Sequence, residues 1–315
     1  MRLDQIGLTL GDLDLGTIDA EGDARLGDYF VTTPYVQSVY LGRRTLFLGR
    51  KGSGKSAVFT QLERILSDRG LQDRVEVVKI TPDQYAWSAL KSYREQGILP
   101  EQAHSNAWKL TLAIEIAGRL SSSERQWSKE TKGRVEILKS FLTSNFGELR
   151  PELVKSATAI LRNLRSLNLS AFGFGLGVDV ASPDDIPITP AVISALYEVI
   201  GSIAQEQPIL IGLDRLDDSW DGSPESQSLM IGLLKASKDI NDEFGTPMLS
   251  ARGVRVITFL RSDIYDSLRF DDKDKHRATE QNILWTMTEL SEMLQRRLPA
   301  EVTVDELFSD GAMRG

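Results

Sequence analysis

The chain of 315 residues contains no cysteine and only two histidines, His104 and His276. Without cysteine it can form no disulfide and no zinc-thiolate site, and it has no thiolate nucleophile. The two histidines are too far apart in sequence to suggest a pair of metal ligands, so we expect an ordinary core or surface position for each. The absence of cysteine fits a cytoplasmic location, which is our prediction.

The sequence also lacks long apolar runs and a secretion signal. No stretch approaches the roughly 18 consecutive apolar residues of a membrane span, and the residues after Met1 are of mixed polarity. We therefore expect no membrane-spanning segment and no membrane partner. The 41% hydrophobic and 26% charged residues are ordinary for a globular protein that buries a substantial core.

Positive charge is in deficit, because the formal net charge is −8. This balance argues against nonspecific binding of nucleic acid by the whole surface. One segment differs, since residues Arg119–Arg165 hold ten Lys or Arg and five Glu and so carry +5, which leaves −13 for the remainder. Such a segment can bind nucleic acid or an acidic partner. Alternating charges on helices more often form a solvated face, and we favour that interpretation.

One stretch, Gly49–Ser56, is a complete phosphate-binding loop of the form G-x-x-x-x-G-K-S. Its glycines permit positive φ and let backbone N–H groups surround phosphates, while Lys55 adds a positive charge. The hydroxyl of Ser56 can bind Mg2+, and the helix that starts there directs its positive end toward the phosphates. The candidate nucleotide-binding residues are therefore Gly49, Arg50, Lys51, Gly52, Ser53, Gly54, Lys55, Ser56 and the following Ala57.

The surroundings of this loop predict a strand before it and a helix after it. Thr45–Leu48 is a short apolar run typical of a buried parallel strand. Apolar residues then recur with helical spacing from Val58 to Leu66, which predicts an amphipathic helix that ends near Gly70. The alternative interpretation is a glycine-rich surface turn. The order of strand, loop and helix favours the nucleotide site.

A second apolar run, Ile209–Asp214, ends in a carboxylate. The last residue of a buried parallel strand emerges at the sheet edge where a phosphate loop also lies. Asp214 is therefore predicted to hold Mg2+ together with Ser56. Of the acids that follow, Asp217 is the first candidate to orient or deprotonate the attacking water, and Asp218 is the second. Alternatively, both cap the following turn.

A later run, Val254–Leu260, predicts another core strand that delivers Arg261 to the same edge. An arginine there can pair bidentately with oxygens of the γ-phosphate and so report its presence. Alternatively, Arg261 forms an ion pair with Asp263 or Asp266. The catalytic candidates are therefore Asp217, Asp218 and Arg261.

The overall pattern predicts an α/β fold, a P-loop NTPase core of three layers with a parallel sheet and a helical insertion. We expect an irregular lead-in at residues 1–43, the core at 44–298 and a short polar tail at 299–315. The insertion covers about 106–189. It combines a helical pattern from Asn106 to Arg165 with an alternating strand at Phe172–Val180. The remaining predicted elements are a strand at Val75–Ile80 and helices that start at Thr189 and Ile283. In the lead-in, the aromatic residues Phe30 and Tyr35 either pack in the core or stack on adenine.

Taken together, Gly49–Ser56, Ile209–Asp218 and Val254–Arg261 resemble the additional-strand P-loop ATPases, near their AAA+ and STAND (signal-transducing) branch. The acids at Asp214, Asp217 and Asp218 are similar to the STAND form of the Walker B motif. The phrases GRKGSGKSA, LDRLDDSW, FLRSDIYDSLRF and ILWTMTELSEMLQRRL resemble an uncharacterised bacterial P-loop ATPase family, some of whose members lie beside phage-defence or nuclease effectors. The resemblance covers about Phe30 to Leu298.

This resemblance implies a five-stranded parallel core, ATP with Mg2+ as ligands, and oligomerisation controlled by ATP. ATP is preferred to GTP because of the resemblance and because no N-K-x-D guanine-reading motif is present. Relatives in the AAA+ and STAND branches usually continue into a helical lid or a winged-helix domain, whereas 17 residues follow Leu298 here. Either this chain is a shortened form or a neighbouring chain completes the site, and no arginine finger can be assigned.

The hypothesis from the sequence is an ATP-binding switch that hydrolyses ATP slowly and controls self-association or an effector protein, in bacterial defence. Three alternatives stay open. The first is a nucleic-acid-stimulated ATPase that uses the basic helical insertion. The second is a phosphotransferase, against which the acids after Asp214 and the late Arg261 argue. The third is a nucleotide-binding scaffold without turnover.

Overall fold

The structure is a computed structural model of the chain. It describes residues 17, 20–71, 73–81, 100–151, 190–218, 220–245, 252–271, 273–300 and 302–305. The predicted strand Phe172–Val180 and the last part of the predicted helical pattern, 152–165, lie outside these residues.

The described elements alternate between helices and strands. The helices are α1 (Leu26–Tyr29), α2 (Pro34–Leu41), α3 (Lys55–Thr60), α4 (Leu62–Ser67), α5 (Pro100–Ser121), α6 (Lys129–Phe146), α7 (Pro190–Ile203), α8 (Pro224–Phe244), α9 (Ser262–Ser267), a 3-10 turn at Lys273–Thr279 and α10 (Met287–Arg297). The strands are β1 (Leu46–Gly49), β2 (Glu76–Ile80), β3 (Ile209–Leu213), β4 (Val254–Arg261) and β5 (Glu280–Asn282).

The five strands form one sheet in the order β2-β3-β4-β1-β5, and every pairing in it is parallel. Leu46 of β1 pairs with Thr258 on one side and Glu280 on the other. The predicted α/β class with a parallel sheet is therefore confirmed. Since all strands run the same way, their carboxyl ends share one edge, and the loop after β1 leaves the sheet beside the ends of β3 and β4.

Alternate residues of each strand face opposite sides of the sheet. In β1, Leu46 and Leu48 lie in a hydrophobic cluster with helices α5 to α8, whereas Phe47 lies in a second cluster with α2, α3 and α4. Buried apolar residues on both faces explain why these strands read as continuous apolar runs in the sequence. The fold therefore has a helical layer on each face of the sheet.

Helices α5 and α6 of the predicted insertion belong to the larger of these clusters, where Trp108 and Phe141 are fully buried. The indole N–H of Trp108 donates to the carbonyl of Leu229 on α8 at 3.1 Å. A Cβ atom on Gly232 would lie 2.6 Å from the Cβ of His104, so α5 and α8 approach closely only because residue 232 is glycine. This part of the predicted insertion therefore forms a helical layer on the sheet.

The helix after the loop differs from its predicted form, since it divides at Gln61 into α3 and α4. It ends at Ser67, and the chain turns at Gly70, whose φ is +66°. Against the sheet, a Cβ atom on Gly212 of β3 would lie 2.6 Å from Leu62 Cδ1. Glycine at 212 therefore lets α4 lie close to β3, which fixes the direction in which the helix leaves the loop.

The chain from 280 to 305 corrects the predicted start of the last helix and contains a strand that was not predicted. The helix predicted from Ile283 begins at Met287, because Thr286 caps it and forms a capping box with Glu289. Residues 280–282 form strand β5, which the sequence did not predict. In the tail, predicted as polar, Val302 is 1% exposed, and Gln295 binds the backbone of Val302 and Val304.

Candidate phosphate-binding site

The loop after β1 has the backbone that its glycines permit. Gly52 and Gly54 have φ of +80° and +93°, and the N–H of Ser53 donates to the carbonyl of Arg50 at 3.1 Å. A Cβ atom on Gly49 would lie 2.2 Å from Ser53 Oγ, so this position has no room for a side chain. The loop is therefore a tight turn that depends on glycine at three of its positions.

Helix α3 starts directly at the end of this turn, with Gly54 as its N-cap. The first helical hydrogen bond runs from Val58 N–H to the carbonyl of Gly54, at 3.1 Å. The N–H groups of Lys55, Ser56 and Ala57 therefore have no partner within the helix, as in any first helical turn. Such N–H groups, together with the helix dipole, make a binding place for a phosphate group.

Lys55 is 8% exposed and folds back over the loop. Its Nζ donates to the carbonyls of Gly49 and Arg50, at 3.2 and 3.1 Å. Burial lowers the pKa of Lys55, and the negative charges of Asp217 and Asp214 oppose this shift. The ammonium group therefore lies inside the turn with nearby carboxylates, and an anion in the loop would add to its stabilisation.

Asp214 follows β3 and is 2% exposed. The side chain of Ser56 hydrogen-bonds to it, while its Oδ2 has no hydrogen-bond partner among the described residues. Burial raises the pKa of Asp214, and the hydrogen bond with Ser56 and the charge of Lys55 lower it. The unpartnered carboxylate oxygen of Asp214 and the hydroxyl oxygen of Ser56 together form a pair of oxygen ligands of the kind that Mg2+ takes. The donor set therefore fits the predicted metal.

Asp217 and Arg261 meet at the same edge. Arg261 ends β4, in register with Gly49 of β1, and its Nη1 lies 3.5 Å from Asp217 Oδ2. The predicted alternative, an ion pair with Asp263, is also present, at 3.1 Å from Nε and 2.6 Å from Nη2. Arg261 therefore binds two carboxylates at once, and the charges of both also act on Lys55.

Asp218 takes a different direction from Asp217. Its carboxylate binds Arg215, at 2.7 Å from the guanidinium, and Arg215 also lies 3.2 Å from Glu21. Arg215 has φ of +60°, which is unusual for a residue with a side chain, and the N–H of Asp218 donates to its carbonyl. The structure thus brings Asp217 into the site and ties Asp218 to Arg215 near the surface.

The outer residues of the loop, Arg50 and Lys51, are exposed. By contrast, Phe30 and Tyr35 are 9% and 5% exposed, and both lie in the smaller hydrophobic cluster. Burial raises the pKa of Tyr35 to about 12. Of the two roles predicted for these aromatic residues, the structure supports core packing.

Trp285 was not predicted as part of the site. It follows β5, and its indole N–H donates to the carbonyl of Ser53 at 2.9 Å. A strand beside β1 delivers the residues that follow it to the edge where the loop lies. That rule would have found Trp285 if β5 had been recognised, but its three residues Glu280, Gln281 and Asn282 carry no apolar signal.

The described part of the basic segment pairs several of its charges. Arg119 binds Glu76, Arg134 binds Glu130 and Lys139 binds Glu136.

Within the described ranges, no group of three or more acidic, histidine or cysteine side chains is arranged to hold a metal ion. Among the helices in those ranges, none has the length and apolar character that crossing a membrane requires.

Comparisons with known proteins give one distant likeness. The chain is 24% identical over 314 residues to the transposon gamma-delta 80.3 kDa protein of Escherichia coli (strain K12). This match covers 96% of the chain. The chain spans 41% of the length of that protein. No protein-family model and no solved structure matches the chain.

Proposed function

We propose that this chain binds ATP with Mg2+ at residues 49–57, hydrolyses it slowly, and acts as a switch that controls self-association or an effector protein. The observation that carries the proposal is the buried carboxylate of Asp214. It follows a central strand, hydrogen-bonds with Ser56, and keeps one oxygen without a partner among the described residues. A buried carboxylate of this kind is costly unless a cation or donor completes it.

The loop supplies the binding energy for the phosphates. Its N–H groups at the start of α3 bind phosphate oxygens, and Lys55, already inside the turn, adds a positive charge. Ser56 and Asp214 would hold Mg2+ through their oxygens. A magnesium ion bound there would neutralise part of the charge that develops on the phosphates.

The carboxylate of Asp217 is our candidate for orienting the attacking water, and Arg261 for binding the γ-phosphate. These two side chains form an ion pair, so a phosphate that binds Arg261 would exchange that ion pair for a new contact. Such an exchange makes the positions of β4 and of the turn after β3 depend on the nucleotide. This dependence is what a switch needs.

The order of strands supports the class that the sequence resembles. Strand β4 lies between β1, which precedes the loop, and β3, which precedes Asp214. A strand in this position is what the resemblance to the additional-strand P-loop ATPases leads us to expect. The distant match to a longer transposon protein does not bear on the switch, and bacterial defence remains the proposed setting.

Nucleic acid is a weaker proposal for the partner. The described basic residues Arg119, Arg134 and Lys139 each bind a carboxylate of this chain, which favours a solvated helical face. Stimulation of turnover by DNA or RNA, with a steep dependence on salt, would support the nucleic-acid-stimulated ATPase instead.

Calorimetry with ATP and Mg2+, followed by measurement of phosphate release and of particle mass, tests the proposed function. We expect binding and slow turnover by the wild type, a mass change with a non-hydrolysable ATP analogue, and loss of all three in Lys55→Ala. Absence of nucleotide binding by the wild type, or equal turnover by Lys55→Ala, would refute the site. Binding without turnover would favour the scaffold.

A further inference from the structure

An indole ring lies against the phosphate-binding loop. Trp285, in the link between β5 and α10, donates its N–H to the carbonyl of Ser53 at 2.9 Å. A Cβ atom on Gly54 would lie 3.6 Å from Trp285 Cζ2, so the ring is in contact distance of the backbone where α3 begins. The ring is therefore held beside the residues whose N–H groups we propose to bind phosphate.

The same side chain keeps part of its surface exposed. Tyr35, which meets Trp285 edge to face at a centroid distance of 6.2 Å, is buried. On either side of Trp285 in the chain, Leu284 and Met287 are 74% and 78% exposed. Apolar and aromatic surface thus lies open beside a site built for a strongly charged group. A ligand that carries both phosphates and a flat ring matches this combination.

We propose that Trp285 is the platform on which the base of the bound nucleotide stacks. This inference rests on the proposed function, since it needs a nucleotide whose phosphates occupy the loop. The indole N–H is already bound to Ser53, which fixes the orientation of the ring, and the part of the ring that stays exposed is the surface that the base would meet. Stacking tolerates any base, because every base has a π face. Trp285 therefore adds affinity for nucleotides as a class and does not select adenine.

The residues on either side of Trp285, in the link between β5 and α10, hold its ring in place beside the loop. Ile283, two residues earlier, is 3% exposed and anchors the end of β5, and its N–H donates to the carbonyl of Leu48 at 2.7 Å. Thr286, one residue later, caps α10. The ring is thus fixed between a strand bound to β1 and the start of a helix, so its position is set before the ligand arrives, which lowers the entropic cost of binding.

The test compares ATP with inorganic tripolyphosphate, which has the same phosphates but no base. Binding of each, with Mg2+, is measured by calorimetry for the wild type, Trp285→Leu, Trp285→Phe and Lys55→Ala. We expect Trp285→Leu to weaken ATP about tenfold or more, the size typical of a lost stacking contact, and to leave tripolyphosphate within about twofold. Trp285→Phe should restore most of the ATP affinity, and Lys55→Ala should lose both ligands.

Equal weakening of ATP and tripolyphosphate by Trp285→Leu would overturn the inference, because it would mean that the ring only shapes the loop through Ser53. Unchanged ATP affinity in Trp285→Leu, with circular dichroism that matches the wild type, would overturn it as well. Neither result affects the proposed function. If the wild type binds tripolyphosphate and ATP equally well, phosphate recognition stands and the base platform fails. If it binds neither, the proposed function itself fails.

Discussion

Nη1 of Arg261 lies 3.5 Å from Oδ2 of Asp217, while Nε and Nη2 of the same guanidinium bind Asp263. The first contact joins the end of β4 to the turn after β3, two segments that are distant in sequence. Asp217 also lies close enough to Lys55 for its negative charge to raise the pKa of that side chain. Under the proposed function, a phosphate that binds Arg261 would release Asp217 toward the reacting water, and the pair would then link nucleotide state to the candidate catalytic group.

The two neighbouring acids should differ in their effect on turnover. We expect Asp217→Asn to lower the rate of ATP hydrolysis about 100- to 10,000-fold, the range for loss of a general base, while ATP still binds. Asp218→Asn should keep most of the activity, because Asp218 binds Arg215 and not the site. Steady-state phosphate release and calorimetry on both variants measure this contrast. A larger loss in Asp218→Asn than in Asp217→Asn would contradict the assignment.

Asp263 should act through Arg261. Asp263 holds two nitrogens of the guanidinium, so Asp263→Ala leaves Arg261 with the single longer contact to Asp217. We expect kcat to fall about tenfold with little change in the affinity for ATP. Asp266→Ala is the matched control, because Asp266 is exposed on the same helix and was the other partner predicted for Arg261. In the double variant with Arg261→Ala, the two losses should be far from additive. Additive losses would show that Asp263 acts elsewhere.

The edge of the sheet that carries the candidate site could be predicted from the sequence because buried parallel strands leave a clear pattern. The runs Leu46–Gly49, Ile209–Leu213 and Val254–Arg261 are apolar on both faces, and all three end at one edge of the sheet. Loop glycines, Asp214 and Arg261 therefore come together once the strands are known to be parallel.

Two features could not be predicted, for physical reasons. Strand β5 is an edge strand of three polar residues, so it has no periodic apolar signal, and Trp285 after it stayed unassigned. The divergence of Asp217 and Asp218 depends on Arg215, which adopts φ of +60° although it is not a glycine. A backbone conformation that the residue type disfavours cannot be read from the residue type.

The buried amide of Asn241 on α8 should be a major source of stability. Its Nδ2 donates to the carbonyl of Val256 at 2.9 Å, and its Oδ1 accepts the N–H of the same residue at 2.8 Å. Asn241→Leu leaves the N–H and the carbonyl of Val256 in β4 without their side-chain partner. We therefore expect the free energy of unfolding to fall by about 2 to 4 kcal/mol. Urea unfolding measures the change.

The matched control for this variant is Gln205→Leu, which removes an exposed amide. It should change the free energy of unfolding by about 0.5 kcal/mol or less. Equal effects of the two substitutions would show that the amide of Asn241 does not stabilise β4.

Glu206 should make stability depend on pH in the acid range. Its carboxylate accepts hydrogen bonds from the side chains of Thr131 and Ser128 and from the N–H of Ser128, and these bonds lower its pKa below its ordinary value of 4.5. The unfolded chain therefore takes up this proton at a higher pH than the folded chain does. The stabilisation is complete above the ordinary pKa and is lost as pH falls through the lowered one.

Glu206→Gln should therefore be less stable than the wild type near pH 7, and the difference between the two should shrink as pH falls from about 5 to 3. Urea unfolding at several pH values measures both curves, and Glu136→Gln, at an exposed ion pair on α6, serves as the control with a small effect throughout. The cap that Glu206 forms joins the start of α6 to the end of α7, so its loss should also raise hydrogen exchange in the first turn of α6. A difference between wild type and Glu206→Gln that stays constant with pH would mean that the carboxylate titrates alike in the folded and unfolded chains.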